Sequence, residues 1–177
     1  MSQNTPEIDV VLNEDELMAM VDRLAETLAP RLQGDWTAIN ILIGATPFTS
    51  DLMKALARRH IHPMLDALWL ESYRDARESS GRVNVRADIT RPVTGRGVLL
   101  IDDVFDTGRT LAFARQHLMT KGAREVITVA LARKPSAPSG ADDVDYHAFE
   151  APERFLVGYG MDDKGLYRGL PFVGALD

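Results

Sequence analysis

Three carboxylates and two hydroxyls crowd into one short stretch, DDVFDTGRT, as Asp102, Asp103, Asp106, Thr107 and Thr110, with Gly108 and Arg109 among them. Ionised carboxylates accept hydrogen bonds from hydroxyl groups or hold a metal, whereas hydroxyls and backbone N–H groups donate to anions. Successive N–H groups in a tight turn form an anion nest, and a helix N-terminus behind the turn adds roughly half a positive charge. The chemistry predicted here is a phosphate bound beside carboxylates that hold hydroxyls or a metal. Without that chemistry, the same acids would only solvate the end of a strand before a helix.

The flanking residues predict how this stretch is positioned. Val98 to Ile101 is a run of branched apolar residues expected to form a buried parallel strand that ends where Asp102 and Asp103 bring charge. Beyond the turn, Leu111 to Ala114 begin a helical pattern that reaches Lys121, with Gly122 as its stop. A similar strand, turn and helix precede it: Ala38 to Ile43 reads as a strand, Gly44 breaks it, and Thr46 and Pro47 are expected as N-cap and first-turn residue of a helix through about Arg58. Further strands are expected at Met64–Leu70, Val126–Ala132, Tyr146–Phe149, Phe155–Val157 and Phe172–Leu176. Asn13 and Glu16 make a capping box for a helix carrying Leu17, Met20, Val21, Leu24 and Leu28. Met1 to Asp9 reads as a flexible leader, and the charged stretch 71–91 as a long loop of the kind that is functional or mobile.

This alternation predicts an α/β fold with a doubly wound, mostly parallel central sheet flanked by helices, in which the loops after successive strands meet at one edge. The chain, 177 residues with 45% hydrophobic content, suits one domain with a sizeable core. A net charge of -6 and a pI near 5.2 argue against a nucleic-acid or membrane surface. The absence of cysteine excludes disulfides and thiolate metal sites. His60 and His62 lie near a helix end without an acidic or third histidine partner, so no metal site is expected there. The polar, acidic N-terminus does not read as a signal peptide, no apolar run approaches the roughly 18 residues of a membrane span, and a cytoplasmic protein is expected.

The turn lacks the Gly-Lys-Ser/Thr ending of a P-loop and the Asp-x-Asp spacing of a phosphatase strand, and no G-x-G-x-x-G follows a strand. Apolar residues, two acids, two apolar residues and Asp-Thr-Gly-x-Thr instead resemble the phosphoribosyl-pyrophosphate motif of type I phosphoribosyltransferases. SYRDARESSG, FTSDLM, YHAFEAPERFLVGYGMD and YRGLPFVGAL are similar to segments of the hypoxanthine-guanine members, so the likeness runs from about Asn13 onward. The resemblance implies that fold, with a small hood from the terminal segments. It also implies transfer of a 5-phosphoribosyl group from phosphoribosyl pyrophosphate (PRPP) to N9 of a 6-oxopurine, hypoxanthine or guanine, in purine salvage, with Mg²⁺ as cofactor and a homodimer or homotetramer as the assembly.

Roles follow position by position. Asp102 and Asp103 would hold the ribose hydroxyls, and Asp106 would take the proton of the base. Thr107, Gly108, Arg109 and Thr110 would cradle the 5′-phosphate, and Gly44 and Ala45 would meet the pyrophosphate. Ser72 and Tyr73 would close over the centre, and Arg168 would bind pyrophosphate. Lys134 would reach the 6-oxo group, Phe155 would stack on the purine, and the Leu156 backbone would read the base edge. Asp162 would join Asp102 and Asp103 around the metal. One departure stands out: the Leu-Lys-Gly usual in these enzymes is Leu42-Ile43-Gly44 here, so a charge is missing. That departure supports one alternative, a binding or regulatory protein on the same fold; a transferase preferring xanthine or a pyrimidine is a further, narrower alternative.

Overall fold

The structure is a computed structural model and describes residues 7–72 and 83–176. Its elements run β1 (Asp9–Leu12), α1 (Glu14–Leu28), β2 (Trp36–Leu42), α2 (Thr46–Ala57), β3 (Met64–Ser72), β4 (Val83–Ala87), β5 (Gly97–Phe105), α3 (Arg109–Thr120), β6 (Glu125–Arg133), β7 (Tyr146–Glu150), β8 (Phe155–Val157) and β9 (Val173–Leu176). The larger sheet has the order β4-β3-β2-β5-β6-β7, parallel throughout except for β4, which pairs antiparallel with β3. The smaller sheet, β1-β9-β8, is antiparallel and built from the two ends of the described chain, as a terminal hood requires.

Period-two alternation along buried strands divides the core in two. Leu99 and Ile101 face the helices α1 and α2, packing with Leu17, Leu24, Phe48 and Leu52, while Val98 and Leu100 face α3 and its Leu111, Ala114 and Leu118. Helices on both faces are what make the uniformly apolar strand favourable. The direction of winding reverses between β2 and β5: β2 leads outward to β3, and β5 leads the other way to β6. In an open parallel sheet the crevice beyond the strand ends at such a switch point is where ligands bind.

Four expectations change. β5 does not end at Asp102 but continues to Phe105. Its pairing with β2 stops at Asn40↔Ile101, whereas pairing with β6 persists through Asp102↔Ala130 to Phe105↔Arg133. The acids therefore lie in a strand supported on one side and open on the other. Residues 83–87, expected as loop, form β4, and Asp9, expected in the leader, begins β1. Both are only four or five residues long, and pairing with β9 and β3 makes them strands. The N-cap of α2 is Ala45, not Thr46. The capping box at Asn13 and Glu16 forms as expected.

Candidate active site

At the switch point lies a cleft of about 550 Å³, with Ile43, Gly44, Asp102, Asp103, Asp106 and Thr110 on one side and Lys134, Phe155, Leu156, Asp162 and Arg168 on the other. Asp102 is buried, and its Oδ1 accepts from Asp103 N at 2.9 Å; Asp103 Oδ1 accepts from Val104 N at 2.7 Å. These bonds to the chain's own N–H groups hold two adjacent carboxylates at the open strand edge. Burial raises both pKa values, and for Asp102 the Asp103 charge adds to it, while the Arg168 guanidinium pulls Asp103 partly back. Two adjacent acids, one buried and one half-buried, constitute a site that favours a hydroxyl donor or a cation.

The turn at α3 needs Gly108, which adopts φ +72° as N-cap in the left-handed region. Asp106 and Thr110 line the cleft, whereas Thr107, Gly108 and Arg109 line a second, more apolar cavity of about 490 Å³ beyond the turn. Beside the acid pair, Gly44 is forced by space: a Cβ there would lie 1.7 Å from Asp103 Oδ2. Ile43 follows a cis Leu42–Ile43 peptide and is half exposed on the cleft wall. Ala45 is fully buried and does not reach the cleft. Asn40, an amide inside the apolar run AINILI, donates to Thr46 Oγ1 and accepts from Thr49 Oγ1, both at 3.1 Å, and so fixes the start of α2 on β2.

The other wall is organised around Lys134. Its N–H donates to Phe105 O at 2.9 Å, tying the residue after β6 to the end of β5. Its ammonium, buried, donates to Pro152 O at 2.9 Å and to Arg154 O, which leaves one of an ammonium's three N–H bonds. Glu153 accepts from Ser136 N and Oγ, at 3.3 and 3.0 Å, clamping the same two loops together. Phe155 is 46% exposed at the mouth while Leu156 is buried. Arg168 donates to Asp162 Oδ1 and to Gly160 O, each at 2.5 Å, and Asp162 Oδ2 accepts from Gly165 N at 2.6 Å. Asp162 is therefore engaged by a cation and an N–H, not free beside the two β5 acids.

Among the described residues no group of three or more His, Asp or Glu side chains is arranged to hold a metal. Ser72 ends β3; its side chain, and Tyr73, lie outside the described residues. Sequence reasoning missed Glu153, Arg154 and Met161, which also line the cleft. Asn40, the one polar residue in AINILI, was a visible signal for the anchored α2 turn.

The phosphoribosyl transferase domain matches residues 12–164. This chain belongs to the phosphoribosyl transferase family. The hypoxanthine-guanine phosphoribosyltransferase of Bacillus subtilis (strain 168) is 35% identical over 170 residues, covering 94% of this chain and 92% of that protein. The bifunctional protein TilS/HprT of Listeria innocua serovar 6a is 36% identical over 168 residues; the match covers 94% of this chain, which spans about a quarter (26%) of that relative's length. Among solved structures, a hypoxanthine phosphoribosyltransferase from Staphylococcus aureus superposes with a TM-score of 0.87 at 30% identity, covering 96% of this chain and 91% of that one. The Trypanosoma cruzi hypoxanthine phosphoribosyltransferase, in complex with the product IMP, gives 0.87 at 25% identity, covering 100% and 97%. The acid pair, the α3 turn and Lys134 all lie within the residues that match this domain.

Proposed function

We propose that this chain is a hypoxanthine-guanine phosphoribosyltransferase of purine salvage, transferring the 5-phosphoribosyl group of PRPP to N9 of hypoxanthine or guanine and releasing pyrophosphate with IMP or GMP. One observation carries the reading: a single cleft gathers acids for a sugar, Asp106 and Thr110 of a helix N-terminal turn for a phosphate, and a lysine beside a half-exposed phenylalanine for a flat oxo-base.

In this reading Asp102 and Asp103 accept hydrogen bonds from the ribose hydroxyls, and the turn from Asp106 to Thr110 donates to the 5′-phosphate. Lys134 directs its remaining N–H to the 6-oxo group. Phe155 covers the purine face, a contact worth roughly 1–3 kcal/mol where bases stack on aromatic side chains. Asp106, exposed on the cleft, takes the proton of the base as N9 bonds to the sugar carbon. Gly44 and Arg168 face the departing pyrophosphate, and Ser72 and Tyr73 belong to the segment that closes over the centre and excludes water.

The adjacent acids Asp102 and Asp103, whose pKa values are raised by desolvation, fit Mg²⁺, which is held through one or two carboxylates plus waters and substrate phosphates. Asp102 and Asp103 would hold it, with Asp162 reaching it through water. When bound it supplies Lewis-acid neutralisation of the diphosphate. No helix among the described residues is long and apolar enough to cross a membrane, and action in the cytoplasm as a homodimer or homotetramer belongs to the same reading.

Ile43 on the cleft wall favours a second reading, a binding protein that senses PRPP or a nucleotide without turning it over. One assay separates them: PRPP and Mg²⁺ are supplied with hypoxanthine, guanine, xanthine, adenine or uracil, and nucleotide formation is followed. IMP and GMP are expected; no product with any base overturns the transferase reading, and product only with xanthine or uracil reassigns the base. Asp106→Asn lowers turnover about 10²–10⁴-fold if its carboxylate is the general base, and turnover near wild type removes that role. Lys134→Ala weakens 6-oxopurine binding far more than PRPP binding; equal losses by calorimetry would show the base contact to be misassigned.

A further inference from the structure

The turn that meets the pyrophosphate carries no charged side chain from Leu42 to Pro47, so its own backbone N–H groups are the donors it brings, and their position is decided by what packs on the turn. Asp103 lies on one side, where a Cβ on Gly44 would meet its Oδ2. On the other side lies the hood. Gly160, at φ +100°, is so close that a Cβ on it would stand 2.0 Å from Gly44 O and 2.8 Å from Pro47 Cδ. Gly44 is therefore held between an acid of β5 and a glycine of the hood.

What presses the hood segment onto the turn is its neighbour Tyr159. The Tyr159 ring is buried, and its hydroxyl donates to Asp51 Oδ2 at 2.8 Å, reaching from the hood to the second turn of α2. Burial and the Asp51 carboxylate push the phenol pKa strongly upward, so the hydroxyl remains a donor. Asp51 is held in turn by Lys54 through Oδ1 at 2.9 Å. On the same segment, Gly160 N donates to Arg168 O at 3.0 Å and Gly160 O accepts from the Arg168 guanidinium. One short piece of chain thus fixes both the height of the Gly44 turn and the cation facing it.

Resting on the transferase reading above, we infer that Tyr159 and Asp51 form a strap that positions the Gly44 turn for the diphosphate of PRPP and of the pyrophosphate product, with no contact to either ligand. They are positioning residues. The 5′-phosphate turn at Asp106–Thr110, on a different strand and helix, lies outside their reach.

The test compares wild type with Tyr159→Phe, Asp51→Ala and Asp51→Asn, measuring by calorimetry the binding of magnesium pyrophosphate and of ribose 5-phosphate, alongside thermal unfolding. Loss of a hydrogen bond to a charged acceptor predicts roughly tenfold weaker pyrophosphate binding in Tyr159→Phe and Asp51→Ala, with ribose 5-phosphate unchanged. Asp51→Asn, which keeps an acceptor oxygen, retains most of the affinity. In turnover, the KM for PRPP rises while that for hypoxanthine stays. Equal losses for both ligands, or unchanged pyrophosphate binding in a folded Tyr159→Phe protein, overturn the strap, as does a wild type that does not bind pyrophosphate. A wild type that binds both ligands but forms no nucleotide fails the transferase reading and leaves the strap standing.

Discussion

Two strand-turn-helix junctions stand side by side in the cleft, and they are built on opposite principles. The β5–α3 junction carries its chemistry in side chains: Asp102 and Asp103 bond the next N–H along their own strand, and Gly108 supplies the left-handed turn. The β2–α2 junction has no charged side chain at all and takes its shape from what packs on it: Asn40 of its own strand beneath Thr46 and Thr49, and two partners distant in the chain, Asp103 on one side of Gly44 and Gly160 on the other. The first is sensitive to a change of functional group, the second to a change of volume.

The sharpest way to break this contrast is Gly44→Ala. The added methyl would lie 1.7 Å from Asp103 Oδ2, so either the acid or the turn must move. A displacement of about an ångström at a reacting geometry costs on the order of 10²-fold, and kcat/KM for PRPP should fall by that much. A near-wild-type value would mean that the two junctions do not depend on each other.

That dependence also explains what could be read beforehand. DDVFDTGRT was legible because its function resides in residue types at short spacing, and the capping box at Asn13 and the apolar runs were legible for the same reason. The hood strand β1, the edge strand β4 and the strap from Tyr159 to Asp51 were not, because each exists through a partner far along the chain; Tyr159 and Asp51 are 108 residues apart. Even the legible stretch misled at one point. Two acids look like the end of a strand, yet β6 continues to pair with β5 past them while β2 has already turned away.

Gly108→Ala probes the other junction and should do less. Its Cβ would meet Phe105 at 3.2 Å, a contact that the ring can relieve, so the cost is mainly the left-handed φ, about 1–2 kcal/mol. For a chain of this size that lowers Tm by about 2–4 °C per kcal/mol, with activity less affected than by Gly44→Ala. A larger loss of kcat/KM than in Gly44→Ala would reverse the ranking of the two turns.

Asp102→Asn tests whether the acids are kept for ligand at the expense of the fold. Because burial and Asp103 raise the Asp102 pKa, its contribution to folding is fully present below the ordinary value of 3.8 and is lost as pH rises through the raised one. The neutral amide removes that loss while its oxygen still accepts from Asp103 N. At pH 7 the ligand-free variant should be more stable by about 1 kcal/mol, roughly 2–4 °C, with the difference closing toward pH 3 and PRPP binding weakened. A variant less stable than wild type at pH 7 would show that the pair is compensated within the fold.

The smallest expected effect is the most specific to this chain. Ile43→Lys places an ammonium on the cleft wall of the uncharged junction, at a position that is 50% exposed. A charge at about 4 Å through water is worth about 1 kcal/mol, so PRPP affinity should rise about fivefold at low ionic strength and the gain should fade as salt is added. Ribose 5-phosphate, which carries no diphosphate, should bind as before. Such a selective, salt-sensitive gain would identify the β2–α2 turn as a backbone donor surface for the diphosphate. Unchanged PRPP affinity at low salt would instead put the diphosphate elsewhere and leave Arg168 as the cation that decides its place.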